Sequence, residues 1–185
     1  MSSSLHPAKR KLAAVILVGG TLVISSYLHG IITHPNTRAD VWGGVPASIQ
    51  PLYTISMVLA AVGFFFFTGF ILFCVDPKNT LVAGRFGFGI FTCIYLLILI
   101  PSAVWMPLTF AMLETPALGL WLAIRADLFL VGAASLSLFP ALLTLGPVKR
   151  GWPFALAILG LTFFCLQTAI LDSIVWPSYF PLQGG

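Results

Sequence analysis

The stretch LWLAIRADLFLVGAASL, Leu120–Leu136, decides the fold. Its only charged residues are Arg125 and Asp127, and the rest of the run is apolar or small. The whole chain of 185 residues follows this bias, with 59% hydrophobic residues, 8% charged residues and a mean hydropathy of +1.04. Soluble domains carry about 25% charged residues. The sequence therefore predicts an integral membrane protein, and it makes Arg125 and Asp127 the first candidates for a site.

Five apolar segments are long enough to cross a membrane, which takes about 20 residues. Proline, glycine, asparagine and charged residues concentrate between these segments, and the alternation typical of barrel strands does not occur in the sequence. The first segment follows a basic tail but continues to Thr33 without a cleavage motif, so we interpret it as a helix that stays attached. The sequence predicts one all-α transmembrane domain, 1–185, with helices at approximately 12–33, 51–75, 86–112, 118–145 and 153–176.

The basic residues predict the orientation of this bundle. With five spans, the tail and the second and fourth connections lie on one side, and they hold Lys9, Arg10, Lys11, Lys78, Arg85, Lys149 and Arg150. The other side has Arg38 alone outside the helices. Because positive loops face the cytoplasm, we expect a cytoplasmic N-terminus and a C-terminus on the opposite side. The polar helix residues then lie in the outer half, under the connection 34–50.

Several function classes are disfavoured by composition. The net charge of +4 does not indicate nucleic-acid binding, because the basic residues lie in small groups between apolar runs. No metal or other cofactor is predicted, since metal-ligand spacing is missing among the histidines, His6, His29 and His34. The cysteines form no C-x-x-C pair and are predicted to be small core residues: Cys74, Cys93 and Cys165.

Arg125 and Asp127 are predicted to have different environments although they are close in sequence. Arg125 is near the outer start of its helix, and helical side chains tilt toward the helix N-terminus. Its guanidinium can therefore reach the interface and stack on Trp121, one turn above. Asp127 is deeper, too short to reach the interface, and points to another face of the helix. We expect it to face the bundle interior, protonated or paired with a neighbour such as His29 or Arg38.

A second acidic residue, Asp172, lies near the outer end of the fifth segment, four residues before Trp176. Two interpretations are open for Asp172: an interfacial residue beside an aromatic anchor, or a partner of Arg125 across the helices. Gln167 is nearer the middle of the membrane and is expected to join helices by hydrogen bonding.

The segment PSAVWMPLTF, 101–110, carries two prolines inside a predicted helix. Pro101 and Pro107 each remove a backbone donor, so the helix is either kinked with its neighbours filling the gap, or broken beside a cavity. In the second case Trp105, between the prolines, would line an interior surface.

The fragment Trp105-x-Pro107-Leu108-x-Phe110 resembles the W-x-P-L-F-F pattern of the translocator protein / tryptophan-rich sensory protein (TspO) family. Pro51-Leu52-Tyr53 is similar to the Leu-Tyr at the start of the second helix in that family, and the five-helix layout agrees. Ser102 replaces the usual asparagine, and the proline-rich first loop matches poorly. The resemblance implies a pocket for porphyrins or sterols, capped by the first loop, with Trp105 and Pro107 on its wall.

Three functions are compatible with these residues. The first is binding or carrying an apolar or amphipathic small molecule, such as a sterol, isoprenoid, lipid or porphyrin, in an outward-facing cavity. The second is an accessory subunit of a larger membrane complex. The third is an intramembrane isomerase or cyclase in which Asp127 or Asp172 donates a proton. Expected partners are membrane lipid and a hydrophobic small molecule, with other membrane proteins or a second copy of the chain left open. Candidate ligand-binding residues are Trp105, Pro107, Asp127, Arg125, Trp121, Tyr53 and His29.

Overall fold

The structure, a computed structural model, describes residues 5–180 and contains five helices long and apolar enough to cross a membrane. These helices indicate a multi-pass integral membrane protein. Each predicted segment corresponds to one of them, and the bounds differ from the predicted ones by at most five residues. The five spans are Pro7–Thr33, Gln50–Cys74, Gly89–Glu114, Leu118–Leu143 and Trp152–Tyr179.

We number the elements in chain order. The five long helices begin as regular α-helices, and the second and fifth continue as π-helix. A short 3-10 turn at Asp40–Trp42 lies in the first connection. The elements are α1 (Pro7–Thr33), α2 (Gln50–Gly69) with a π-helical turn (Phe70–Cys74), β1 (Leu81–Val82), α3 (Gly89–Glu114), α4 (Leu118–Leu143), β2 (Leu145–Gly146), α5 (Trp152–Cys165) with a π-helix (Leu166–Val175), and α6 (Trp176–Tyr179).

The connections meet at the two ends of the bundle. At one end, β1 pairs antiparallel with β2, which joins the second and fourth connections. We call this the basic end, because residues 75–88 and 144–151 carry Lys78, Arg85, Lys149 and Arg150. At the other end, the Gly44 N–H donates to the Tyr179 carbonyl oxygen at 2.6 Å. We call this the loop end; it comprises residues 34–49, 115–117 and 176–180.

The helices pack as a chain of neighbours in which α1 lies on α3, α3 on α4, α4 on α5, and α5 on α2. The contact between α2 and α5 is the closest, because a Cβ atom added to Gly63 or Gly160 would lie closer than 3.0 Å to backbone of the other helix. Small residues allow this approach of two backbones in a membrane bundle. Many apolar side chains elsewhere point away from the bundle, as lipid contact requires: Leu17, Leu22, Ile32, Leu52, Phe65 and Ile174.

Two apolar clusters form the interior. The larger one fills the half of the bundle nearer the basic end and includes Phe67, Tyr95 and Leu138. The smaller one lies at the loop end and includes Tyr53, Ile124 and Trp176. The predicted core position of the cysteines is wrong for two of the three, since Cys165 is buried but Cys74 and Cys93 are exposed.

Helix α3 runs without interruption through both of its prolines. Pro101 is buried and Pro107 is exposed. The Ser102 hydroxyl donates to the Ile98 carbonyl oxygen at 2.7 Å, and the Thr109 hydroxyl donates to the Trp105 carbonyl oxygen at 2.9 Å. The alternative of a broken helix is therefore wrong, and Trp105 is presented by a continuous helix.

Candidate functional site: a polar layer inside the bundle

Arg125 is held at the loop end and not in the interior. Its guanidinium carbon lies 3.8 Å from the centroid of the Trp121 ring, and its Nη2 donates to the Pro177 carbonyl oxygen at 2.8 Å. The predicted stacking on Trp121 is confirmed. Trp121 is itself anchored, because its Nε1 donates to the Phe180 carbonyl oxygen at 3.1 Å. Arg125 and Trp121 thus connect the start of α4 to the C-terminal segment.

Asp172 belongs to the π-helix and bonds to a neutral neighbour. Gln167 Nε2 donates to Asp172 Oδ1 at 2.7 Å. A π-helix bonds residue i to residue i+5 and brings these positions onto one face, whereas an α-helix would separate them. The alternative pairing of Asp172 with Arg125 is therefore wrong: Arg125 bonds to Pro177 and Asp172 bonds to Gln167.

The π-helix fits against α4 because Gly132 has no side chain. A Cβ atom at Gly132 would lie 2.5 Å from Ser173 Oγ and 3.0 Å from Ala169 Cα. The Ser173 hydroxyl bridges the two helices, with the Leu128 carbonyl oxygen at 2.6 Å. This contact fixes the π-helix beside the turn of α4 that carries Asp127.

Asp127 is half-buried, and its Oδ2 is buried without a hydrogen-bond partner among the described residues. The partners predicted for it, His29 and Arg38, are both exposed and make no ion pair with it within residues 5–180. Asp127 and Asp172 both lie close enough to Tyr27 of α1 to interact with its phenol electrostatically. Ionisable side chains of α1, α4 and the π-helix therefore lie in the same region of the bundle.

Aromatic rings complete this region. The Trp105 ring centroid lies 5.5 Å from that of Tyr27 and 5.6 Å from that of Trp176. Trp176 Nε1 donates to the Val41 carbonyl oxygen at 3.0 Å, whereas Trp105 Nε1 is buried and bonds to none of the described residues. Gln167 Oε1 is likewise buried and unpartnered within this part of the chain. One buried donor, Trp105 Nε1, and two buried acceptors, Asp127 Oδ2 and Gln167 Oε1, thus have no partner among the described residues.

We call Tyr27, Trp105, Asp127, Gln167 and Asp172 the polar layer. Counted along the helices at 1.5 Å per residue, these residues lie roughly 6 to 15 Å from the loop end. All five are within the membrane-spanning helices, where water does not solvate them as it would at a surface. The polar layer therefore combines two carboxyl groups, an amide, a phenol and an indole N–H in the apolar half nearest the loop end.

The predicted ligand-binding residues do not all meet in this layer. Trp105 and Asp127 belong to it. Tyr53 is buried beside it, and its hydroxyl donates to the Leu171 carbonyl oxygen at 3.2 Å. Arg125 and Trp121 lie at the loop end. His29 and Pro107 are exposed on the outside of their helices.

A pocket of about 500 Å³ opens at the loop end, between the first connection, the end of α3 and the C-terminal segment. Its lining includes Asp40, Gly43, Met112 and Phe180, and contains none of the predicted ligand-binding residues. Phe180 stacks on Trp176 with ring centroids 4.4 Å apart, and Trp176 contacts Trp105. Phe180 of the pocket lining is therefore linked through Trp176 to Trp105 of the polar layer.

Sequence reasoning missed Tyr27 and Trp176 as members of this region and assigned Gln167 only a packing role. A signal was available for Tyr27, which is six residues from the end of α1 and so at a depth similar to that of Asp127. Which face of α1 packs on α3 could not be decided from sequence.

Within the described residues, no group of three or more His, Cys, Asp or Glu side chains could hold a metal ion.

The fold and the polar layer together define a class: a five-helix membrane bundle with ionisable residues inside one half. The chain matches no protein-family model, no curated protein and no solved structure in comparisons with each.

Proposed function

We propose that this protein binds or carries an apolar or amphipathic small molecule at the polar layer, reached from the loop end. The observation that carries the proposal is that three of the six buried polar side-chain atoms without a partner among the described residues belong to the polar layer, namely Trp105 Nε1, Asp127 Oδ2 and Gln167 Oε1. Buried polar groups in folded proteins nearly always have partners, so such a cluster requires an explanation. A bound molecule with a polar group would supply the missing hydrogen bonds.

The energetic argument favours a ligand over a purely structural role. An unsatisfied buried donor or acceptor costs about 1–3 kcal/mol, and three of them would be a large fraction of the stability of a small bundle. Apolar residues at these positions would avoid the cost. The aromatic rings of Tyr27, Trp105 and Trp176 offer an apolar surface beside the polar atoms, which is the usual composition of a small-molecule site.

Two further features support the proposal. The distribution of basic residues places the basic end in the cytoplasm by the positive-inside rule, so the polar layer would be reached from the opposite side of the membrane. The resemblance to the TspO family implies a ligand pocket with Trp105 on its wall, and Trp105 belongs to the polar layer; the implied role of Pro107 is not supported, because Pro107 is exposed. The accessory-subunit and enzyme alternatives stay predictions.

The test is the identity of molecules that co-purify with the protein. Wild type is purified in mild detergent, extracted with organic solvent, and analysed by mass spectrometry. Asp127→Asn replaces the carboxyl group by a neutral amide, and Trp105→Phe removes the indole N–H. Matched controls change the same residue types at the basic end: Asp76→Asn and Trp152→Phe, at exposed positions.

We expect one apolar or amphipathic compound, enriched over bulk lipid, in wild type and in both controls. Its amount should fall at least tenfold in Asp127→Asn and Trp105→Phe. Equal recovery from all five proteins, or recovery of bulk lipid alone, would contradict binding at the polar layer.

A further inference from the structure

The side chains of the polar layer that can carry a charge are all acidic. It contains two carboxyl groups, Asp127 and Asp172, and no basic side chain. Arg125, the basic residue nearest in sequence, is directed to Trp121 and to the Pro177 carbonyl oxygen. The one contact between a basic and an acidic side chain within residues 5–180 joins His34 and Glu114 at the loop end, with Nε2 and Oε1 3.1 Å apart. A positive group is therefore what the layer lacks.

The free hydrogen-bonding atoms of the carboxyl and amide groups are acceptors. Gln167 has 6% of its surface exposed, and its Nε2 is used in the bond to Asp172 Oδ1. This bond holds the amide beside the carboxyl group, and the remaining Oε1 is a buried acceptor without a partner. Asp127 Oδ2 is a second such acceptor. An ammonium group has three donors and no acceptor, so it complements these two acceptors, whereas the donor Trp105 Nε1 needs an acceptor elsewhere in the bound molecule.

The aromatic rings favour the same kind of ligand. Tyr27 and Trp176 each lie within 6 Å of Trp105 between ring centroids. A cation near the face of a tryptophan ring is stabilised by the ring quadrupole, and the effect is larger where water is excluded. A negatively charged group would be repelled both by the rings and by the two carboxylates.

We propose that the molecule bound at the polar layer carries a protonated amine on an apolar body. The ammonium group lies between Asp127 and Gln167, and the apolar body lies against Trp105. This inference rests on the proposed function and adds its substrate class. The pairing also accounts for two carboxyl groups inside a membrane bundle, because a buried charge is tolerated when it is paired.

The experiment uses three photoreactive probes with the same diazirine-bearing alkyl chain, ending in a primary amine, an alcohol or a carboxylic acid. The full chain is kept at pH 7 in micelles of a neutral maltoside detergent. Labelled peptides are identified by mass spectrometry. We expect the amine probe to label peptides containing Tyr27 or Trp105 at least tenfold more than the alcohol or the acid.

Variants then test whether the preference for the amine probe depends on the carboxyl groups. Asp127→Asn and Asp172→Asn should each reduce labelling by the amine about tenfold and change labelling by the alcohol less than twofold, while Asp76→Asn should change neither. Retained labelling by the alcohol reports an intact site. Where a variant does not fold, competition decides in wild type: unlabelled long-chain amine should block the amine probe, and the matching acid should not.

The outcomes separate this inference from the proposed function. Equal labelling of the polar layer by all three probes, with equal competition by amine and acid, would overturn the amine preference and leave apolar binding in place. Labelling of lipid-facing residues alone by every probe would overturn both.

Discussion

The two halves of helix α3 treat buried polar groups in opposite ways. In the half near the basic end, the Tyr95 hydroxyl is fully buried and lies 2.6 Å from the Thr68 hydroxyl, so both groups are satisfied inside the protein. Ten residues further on, Trp105 Nε1 is buried without a partner among the described residues. On α3, the hydroxyl near the basic end is thus hydrogen-bonded within the protein, and the indole N–H near the loop end is not, although Thr80 Oγ1 at the basic end is also buried without a partner among the described residues.

The fifth span shows the same contrast in its backbone. Its first part, α5, is regular and packs on α2 through Gly63 and Gly160 with backbones in contact. Its second part is a ten-residue π-helix, Leu166–Val175, which carries Gln167 and Asp172. π-Helical segments within α-helices are rare and are frequent at functional sites; a shorter one, Phe70–Cys74, ends the second span near the basic end. The regular packing of α5 on α2 therefore lies near the basic end, and the π-helix that carries Gln167 and Asp172 lies near the loop end, where we propose the site.

The largest expected effect comes from the contact between α2 and α5. Gly63→Ala should destabilise the protein by about 3 kcal/mol, because overpacking against rigid backbone cannot be relieved by a side-chain rotation. The matched control is Gly69→Ala on the same helix, where a Cβ atom meets no other atom within 4 Å. Unfolding in detergent, followed by circular dichroism, measures both. Equal stability of the two variants would show that the close packing of α2 and α5 is not required.

The second prediction has the opposite sign. Asp127→Leu should stabilise the ligand-free protein by about 2 kcal/mol, because it removes an unpartnered carboxyl group from the apolar interior. Function and stability are expected to conflict in this way at a binding site. The same unfolding assay measures it, after removal of bound lipid. Destabilisation by 1 kcal/mol or more would mean that Asp127 has a structural partner, contrary to the account.

The third prediction concerns the half near the basic end, where the Tyr95 and Thr68 hydroxyl groups share a hydrogen bond. Tyr95→Phe should cost about 1 kcal/mol, the typical contribution of one hydrogen bond, because it leaves the Thr68 hydroxyl buried without Tyr95. Combining it with Thr68→Val gives a double-mutant cycle, whose coupling energy should also be about 1 kcal/mol. A coupling energy near zero would show that this pair does not stabilise the bundle.

The smallest expected effect on stability comes from Asp76, which is exposed at the basic end. The Asp76 carboxylate accepts hydrogen bonds from the Lys78 backbone N–H at 3.1 Å and from Asn79 Nδ2 at 2.7 Å, which lowers the pKa of Asp76 below its ordinary value. A lowered folded-state pKa contributes stability above the unfolded-state pKa of about 4, and this contribution is lost as the pH falls through the folded-state value.

Thermal unfolding of wild type and Asp76→Asn between pH 7 and pH 2 measures this contribution. The wild type should have a slightly higher Tm at pH 7, and the difference should vanish on acidification. A difference that grows as the pH falls would contradict the assigned hydrogen bonds.

Much of the fold could be predicted from sequence, because hydrophobic length alone identifies spans. The start of α1 was placed five residues late, since the basic tail was counted as connection. His6 Nδ1 in fact accepts a hydrogen bond from the Ala8 N–H, and Pro7 occupies the first helical position, so the helix begins there. The last span also extends past its predicted end, because Pro177 is tolerated in the first turn of α6.

The contacts of the candidate site could be predicted from sequence only where they depend on a single helix. Stacking of Arg125 on Trp121 follows from side-chain direction along α4, and so does the separation of Arg125 from Asp127. The bond between Gln167 and Asp172 depends on a π-helix, which hydrophobic periodicity does not reveal. The meeting of Tyr27 with Trp105 depends on how α1 lies on α3, and an all-round apolar helix carries no pattern that fixes that face.

The most direct test of the account is the gain in stability that native lipid extract gives to lipid-depleted protein. A ligand that binds the folded state at 100 times its Kd stabilises it by about 2.7 kcal/mol. We predict a gain of this order for wild type and Asp76→Asn, and almost none for Asp127→Leu, which is the more stable protein without lipid. Equal gains for wild type and Asp127→Leu would contradict the claim that the polar layer is reserved for a ligand.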